Sequence, residues 1–261
     1  MYRGFNLKIQ NGNPFGTYKD RGKALFDTDS GRMRPEITRY VKGNAIDATQ
    51  LQADWFGAEN AHVFISHSHR DVDLALSLAG WLDAKFGLRA FIDSTVWGYS
   101  DDLLKQIDNA HCKNDDKKTY SYEARNRSTS HVHMMLSCAL STMIDRAECI
   151  IFLNTPSSIV VKESIDDAGA SLTASPWIYA ELTTSKLIRK RMPSRGVLES
   201  IEKSGGERII ADSATPFHYE VELSHLANLN HNDLIRWQNA ERRGTDALDA
   251  LYAFKPRPNA A

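Results

Sequence analysis

Three short apolar runs are typical of buried parallel strands, and they constrain the fold of this chain more than any other feature. They cover residues 63–65, 88–92 and 149–153, and they are rich in β-branched, leucine and aromatic side chains. Between the first two runs, apolar residues recur with the spacing of one helical face, and Gly87 is placed to end that helix. Strands that alternate with helices predict an α/β protein whose parallel sheet is covered on both faces.

The loops that follow these strands are the first place to look for a binding site. In open parallel sheets, ligands bind beyond the carboxyl ends of the strands. We therefore expect residues 66–69, residues 93–99 and the segment after residue 153 to lie along one edge of the sheet. Within residues 93–99 we expect a loop, followed by a short helix over 101–107 that Ser100 caps.

A further helix starts at a well-marked position. Ser175 followed by Pro176 is a strong start signal, and the pattern predicts a helix that continues to about residue 191. Trp177 and Glu181 are four residues apart, so they share one helical face, one turn from each other.

The sequence predicts three regions. We expect residues 1–60 to form an N-terminal extension packed on the main domain, with a short helix at 48–56 after Asp47 as N-cap. The main domain covers residues 61–230 and contains a polar, aperiodic insertion at 109–130. Residues 231–261 are expected to form a C-terminal helix and tail.

Composition excludes several classes of function. The formal net charge is −1, so no strong field recruits nucleic acid or an anionic membrane, and no apolar run is long enough to span a bilayer. Cys112, Cys138 and Cys149 form no CxxC pair, which favours a reducing compartment. Because no secretory signal precedes the domain, we expect a cytoplasmic protein.

Several kinds of catalytic site lack support in the sequence. His67 and His69, and likewise His131 and His133, are close pairs, but no further residue has zinc-like spacing, so we expect no metal site. No glycine-rich phosphate loop is present, and no serine or cysteine triad is indicated.

Three segments in order resemble the TIR (Toll/interleukin-1 receptor) domain. They are residues 63–68, 87–93 and 175–181, and the resemblance covers residues 61–230. It implies a flavodoxin-like parallel sheet of about five strands. The similarity is to bacterial members of the Thoeris-like antiphage-defence type, which cleave NAD⁺. NAD⁺ would then be the substrate, with no cofactor, and the product an ADP-ribose or a cyclised or transferred signalling nucleotide.

The resemblance also implies roles for individual residues. Glu181 would be the catalytic carboxylate, since enzymatic members carry a glutamate in the helix after the third strand. The substrate-binding residues would be Ser66, His67, Ser68, Asp93, Trp97 and Trp177. Cleaving the bond between nicotinamide and ribose builds positive charge on the sugar, and one anionic carboxylate beside it stabilises that charge.

Alternative interpretations stay open at this point. Glu181 could be a solvated helix residue, Trp177 could be core packing, and Asp93 could cap the next turn. The competing function is a non-enzymatic TIR interaction module or scaffold. Both functions are compatible with self-association through TIR contacts, and an enzyme would act on a separate effector protein through its product.

Overall fold

The centre of the protein is a parallel sheet of five strands, seen in a computed structural model that describes residues 1–30, 36–42, 45–55, 61–114, 118–161, 171–195 and 218–258. The strands of this sheet are β1 (Arg3–Lys8), β4 (Val63–Ser66), β5 (Ala90–Ile92), β6 (Cys149–Asn154) and β10 (Ala227–Leu229). Their order across the sheet is β10-β1-β6-β4-β5, and every neighbouring pair is parallel.

Two short antiparallel sheets accompany the main one. A two-stranded hairpin contains β2 (Val41–Lys42) and β3 (Ala45–Ile46). A three-stranded sheet contains β7 (Val160–Val161), β8 (Ser171–Thr173) and β9 (Tyr219–Val221), with β8 in the middle.

Eight helices cover the sheet within the described ranges. They are α1 (Lys19–Ser30), α2 (Ala48–Trp55), α3 (Val72–Phe86), α4 (Ser94–His111), α5 (Tyr122–Arg146), α6 (Pro176–Leu187), α7 (His231–Asn239) and α8 (Thr245–Phe254). None of the described helices is both long and apolar enough to cross a membrane.

Alternating side chains along the strands divide the apolar core into two layers. Ile65 and Ile151 belong to the first layer, which α3, α7 and α8 cover, with α1 packed on α3. Phe64 and Phe152 belong to the second layer, which α2, α4, α5 and α6 cover. This period of two explains why the strands are apolar on both sides. The expected α/β fold, a flavodoxin-like parallel sheet with helices on both faces, is confirmed.

The helix boundaries confirm some local signals. Gly87 follows α3 in the left-handed conformation, with φ of 67°, and its N–H bonds to the Asp83 carbonyl. Ser175 accepts a hydrogen bond from the Ile178 N–H, and Pro176 is the first residue of α6. Asp47 accepts a hydrogen bond from the Gln50 N–H and so caps α2.

The N-terminal segment differs from the expected extension. β1 lies between β6 and β10, with hydrogen-bonded partners on both sides. Its side chains alternate between the layers, with Phe5 and Leu7 in the first core layer. Gly4 faces the second layer, where a Cβ would lie 2.3 Å from the Leu226 side chain. The first strand of the chain is thus an interior element of the main sheet.

Three other local predictions differ from the structure. The expected loop at 94–99 and the Ser100 cap are wrong, because α4 starts at Ser94 and Ser100 lies inside it. The expected insertion at 109–130 contains the end of α4 and the start of α5, which begins at Tyr122 with Ser121 as N-cap. The single C-terminal helix is two helices, separated around Gly244, which has a φ of 56°.

Candidate active site

Glu181 lies in the second turn of α6 and is almost fully buried, with 1% of its surface exposed. The same face of the helix carries Ile178 and Leu182, which pack into the second core layer. The Ser175 cap and Pro176 fix where this helix begins, and this in turn fixes which residues face the sheet. Glu181 is therefore directed inward by the packing of its apolar neighbours.

Ser66 supplies the first polar contact of Glu181. Its hydroxyl donates a hydrogen bond of 2.6 Å to Oε2 of Glu181. Ser66 is the last residue of β4, and it faces the second layer because Ile65 before it faces the first. The other oxygen, Oε1, is buried and receives no hydrogen bond from the described residues.

His67 and Asp93 form a buried ion pair beside these residues. Nδ1 of His67 lies 2.5 Å from Oδ1 of Asp93, and the two side chains are 1% and 3% exposed. His67 directly follows β4, and Asp93 directly follows β5, so both come from the carboxyl ends of neighbouring parallel strands. Ser66, His67, Asp93 and Glu181 are called the Glu181 cluster below.

The cluster changes the protonation of its members. Burial raises the pKa of Glu181 well above its usual value of 4.5, and the nearby Asp93 carboxyl raises it further, while the Ser66 hydrogen bond acts in the opposite direction. Asp93 is also within hydrogen-bonding reach of Glu181. The Glu181 carboxyl, which lies near the Asp93 carboxyl, therefore keeps its proton to higher pH than usual.

His67 responds to two opposing influences. Burial is the largest single influence and lowers the pKa of its imidazole, but the charge and hydrogen bond of Asp93, the Ile65 backbone and Asp71 together raise it more, so the net pKa is above 6.5. Asp71 contributes to this rise from a greater distance. The His67 imidazole beside Asp93 therefore keeps its proton to higher pH than its usual pKa of 6.5 implies.

The segment after β6 closes the same edge, as expected. Thr155 donates a hydrogen bond of 2.6 Å from Oγ1 to Oδ2 of Asp71, which lies at the start of α3. Ser158 donates a hydrogen bond of 2.8 Å to the Leu153 carbonyl. These contacts tie the loop after β6 to the loop after β4. The sequence placed this segment at the edge but singled out neither Thr155 nor Asp71.

Three of the predicted site residues are not part of the cluster. Ser68 accepts a hydrogen bond from the Arg70 N–H and caps the short helical turn at His69–Asp71. Trp177 packs edge-on against His133 of α5, with ring centroids 5.7 Å apart, so its contact is helix packing. Trp97 lies in α4, and its side chain is outside the part of the chain that the structure describes.

A row of asparagines extends the polar edge across the sheet. Asn154 donates to Oδ1 of Asn6 at 3.0 Å, and Asn6 donates to Oδ1 of Asn228 at 2.9 Å. In the strand register Ser66 pairs with Phe152, which pairs with Asn6, so Ser66 and Asn6 are two strands apart, or roughly 10 Å. This row of asparagines was not predicted, because residues 3–8 were not recognised as a strand.

The Glu181 cluster is closed in this structure. Ser66, His67, Asp93 and Glu181 have exposures of 0%, 3%, 2% and 1%. A substrate reaches Glu181 only after part of this edge moves. No group of three or more histidine, cysteine or acidic side chains suited to a metal occurs in the described ranges.

Fold and site together define an α/β protein with a buried carboxyl pair at the carboxyl edge of a parallel sheet. Comparisons of the chain with family models, with curated proteins and with solved structures found no match. The chemistry of the site therefore has to be argued from its own residues.

Proposed function

We propose that this chain is a TIR-type enzyme that cleaves the bond between nicotinamide and ribose in NAD⁺, with Glu181 as its catalytic residue. The observation that carries the proposal is the convergence of Ser66, His67, Asp93 and Glu181. These residues come from three separate segments, and a buried carboxyl pair forms where ligands bind to parallel sheets.

The charge of the substrate fits the protonation of the cluster. The nicotinamide ring of NAD⁺ carries a positive charge, and a positive charge near a carboxyl group lowers its pKa. When NAD⁺ binds beside the carboxyl pair, Glu181 therefore loses its proton more readily and becomes ionised. The anion then stabilises the positive charge that develops on the ribose as the bond breaks.

Cleavage of this bond does not require an external acid, and every bond and proton in the reaction is accounted for. The carbon–nitrogen bond breaks, and nicotinamide leaves as a neutral molecule with the bonding electrons. Water, or a nitrogen or hydroxyl of the same or another molecule, attacks the ribose carbon and loses a proton to the carboxyl pair. Hydrolysis gives ADP-ribose, and the other acceptors give a cyclic or transferred nucleotide.

Defence against phage is the proposed context, with the nucleotide product acting on a separate effector protein. The resemblance of residues 63–68, 87–93 and 175–181 to bacterial TIR proteins supports this context. The buried state of the cluster supports a requirement for self-association, because contact between two copies is one way to rearrange the closed edge.

The competing function is a non-enzymatic TIR interaction module. The observation in its favour is the burial of all four side chains, since a closed polar cluster can serve the fold alone. The enzymatic proposal and this alternative make opposite predictions about nicotinamide release.

Release of nicotinamide from NAD⁺ by the purified chain tests the proposal. We expect Glu181→Gln to lower the rate by at least about a hundredfold, because the charge that faces the transition state is lost. Glutamine keeps an acceptor for the Ser66 hydroxyl, so the fold is preserved. The matched control is Glu123→Gln on the exposed face of α5, which should retain the full rate.

The assay needs a range of protein concentrations, with the oligomeric state followed by sedimentation. Equal release by the parent chain and Glu181→Gln rejects the role of Glu181. No release by the parent chain in any oligomeric state rejects the enzymatic proposal in favour of the interaction module. Mass spectrometry of the nucleotide product separates hydrolysis from cyclisation and transfer.

A further inference from the structure

A cavity of about 610 Å³ lies between the N-terminal segment and the α4–α5 pair, and no residue of the Glu181 cluster lines it. The lining residues come from the β2–β3 hairpin, α2, α4 and α5. They are Val41, Ala45, Ile46, Ala48, Leu51, Ile107, His111, Ser128, His131 and Met135. The cavity is thus lined both by residues of the expected extension (1–60) and by residues of the expected insertion (109–130).

The cavity has an apolar floor and a mixed rim. Leu51, Ile107 and Met135 are buried, with exposures of 0%, 6% and 8%, and they form the floor. His111 and His131 are exposed and lie at the rim. An apolar interior with a few polar groups near the opening is the usual composition of a small-molecule site.

The lining selects against a charged ligand. Among the described residues that line the cavity, none is a lysine, arginine, aspartate or glutamate. A charged group placed here would lose its hydration without gaining a partner of opposite charge, which is costly. The occupant is therefore uncharged over the part that enters the cavity.

The polar groups of the lining indicate what the ligand must offer. The Ser128 hydroxyl donates to Oδ1 of Asp108 at 2.8 Å and accepts from Sγ of Cys112 at 3.7 Å, so it can accept one further hydrogen bond. A neutral imidazole, at His111 or His131, offers one N–H donor and one acceptor. A ligand edge with both a donor and an acceptor, as in an amide or a nucleobase, matches this set.

The volume of the cavity suits a small molecule better than a peptide helix. Small-molecule sites have volumes of roughly 300–1,000 Å³, and this cavity falls in that range. A docked helix of diameter about 10 Å would need a longer groove to bury three turns. We propose that this cavity binds an uncharged small molecule with an aromatic or aliphatic body and an amide-like edge. The proposal does not depend on the NAD⁺-cleaving function.

Titration with two related fluorescent probes tests the selectivity. The uncharged probe is N-phenyl-1-naphthylamine, which has two ring systems and one N–H donor. Its charged counterpart is 8-anilinonaphthalene-1-sulfonate, which adds a sulfonate to the same rings. We expect saturable one-to-one binding of the uncharged probe, and binding of the sulfonate at least about tenfold weaker, because its charge has no partner.

A substitution at the rim tests the location. Ala48→Trp places a large side chain at the opening and should weaken binding of the uncharged probe by at least about tenfold. Thr49→Trp is the matched control, because Thr49 is exposed, adjacent and outside the lining. Circular dichroism and thermal unfolding show whether each variant is folded, and Val41→Trp replaces Ala48→Trp if the latter is not.

Three results overturn the proposal. The first is a lack of saturable binding of the uncharged probe to the folded parent chain. The second is equal affinity for the sulfonate. The third is unchanged binding to a folded rim variant, which places the probe elsewhere. Nicotinamide release does not enter this experiment, so its outcome is separate from that of the proposed function.

Discussion

Glu181 differs from an ordinary helix glutamate in its burial and its partners. Its carboxyl group is removed from water, accepts one hydrogen bond from Ser66 and lies beside a second carboxyl group. Burying a carboxyl group in this way favours its protonated form. The raised pKa of Glu181 therefore favours its protonated form, and a positive charge nearby would favour the ionised form.

Sequence spacing could identify most of the Glu181 cluster but not its state. The strand pattern predicted which edge of the sheet holds the site, and the TIR resemblance made Ser66, His67, Asp93 and Glu181 candidates at that edge. Glu181 is buried and paired, so the alternative of a solvated helix residue is wrong. Burial of Glu181 depends on Ser66 and Asp93, which belong to other segments, and a single sequence does not show which side chains approach each other.

The raised pKa of Glu181 predicts a specific effect of pH on stability. In the unfolded chain the group ionises near 4.5, whereas in the folded chain it keeps its proton to higher pH. The folded state then binds more protons, so the stabilisation is complete below pH 4.5 and is lost as pH rises towards the raised pKa. The loss is at most about 1.4 kcal/mol per pH unit.

Comparison with Glu181→Gln isolates this effect. We expect the free energy of unfolding of the parent chain to decrease, relative to that of the variant, as pH rises above 4.5. His225, whose burial lowers its pKa to about 4, acts in the opposite direction but is present in both proteins. Urea unfolding across this pH range measures the difference. A constant difference, like that expected for exposed Glu123→Gln, means that Glu181 is ionised in the folded chain.

Among the helices and strands, those predicted correctly have either a buried apolar run or a clear capping residue at their start. The strands at 63–66 and 149–154 and the start of α6 are examples. The start of α4 was missed because Ser94, Thr95 and Gly98 have low helix propensity. The start of α5 was missed because its first turns are polar and only Ser128 is buried there.

The contact between α1 and α3 yields a prediction at the same level. The two helices approach closely at Gly22 and Gly80, where a Cβ would lie 1.8 Å from the Leu76 carbonyl oxygen and 2.1 Å from the Tyr18 carbonyl oxygen. Alanine normally stabilises a helix by about 1 kcal/mol relative to glycine. Here we expect Gly80→Ala to destabilise the protein by about 1–3 kcal/mol, because the backbones must separate.

Thermal and urea unfolding measure this loss. Gly16→Ala is the control, because the nearest atom to its Cβ is 4.0 Å away and nothing has to move. We expect Gly22→Ala to be destabilised like Gly80→Ala, and Gly16→Ala to stay close to the parent chain. A stabilised Gly80→Ala would show that α1 is free to shift away from α3.

For the whole molecule, the position of β1 shows that the N-terminal segment is part of the main sheet. The strand next to β6 is the first in the chain, and β10, one of the last elements, pairs with its other edge. The alternation of Phe5, Asn6 and Leu7 is visible in the sequence. Its partners in the sheet lie more than 140 residues away along the chain, and a single sequence does not reveal such distant pairings.

This arrangement predicts that residues 61–261 cannot fold alone. Without β1, the facing edges of β6 and β10 lose their hydrogen-bond partners, and the first core layer loses Phe5 and Leu7. Exposed apolar surface and unpaired strand edges favour aggregation over a cooperative native state. We therefore expect the fragment to show no cooperative thermal transition and to bind 8-anilinonaphthalene-1-sulfonate more strongly than the full chain does.

Addition of the missing segment gives the matched control. A peptide of residues 1–60 contains β1, α1 and α2, and mixing it with the fragment should restore a cooperative transition, because it supplies the interior strand, the helix that packs on α3 and the second-layer residues of α2. The same peptide with Leu7→Asp should fail, since the charge would enter the apolar layer. A fragment that unfolds cooperatively without any peptide would instead support an independent domain that begins near residue 61, with β1 as a dispensable addition.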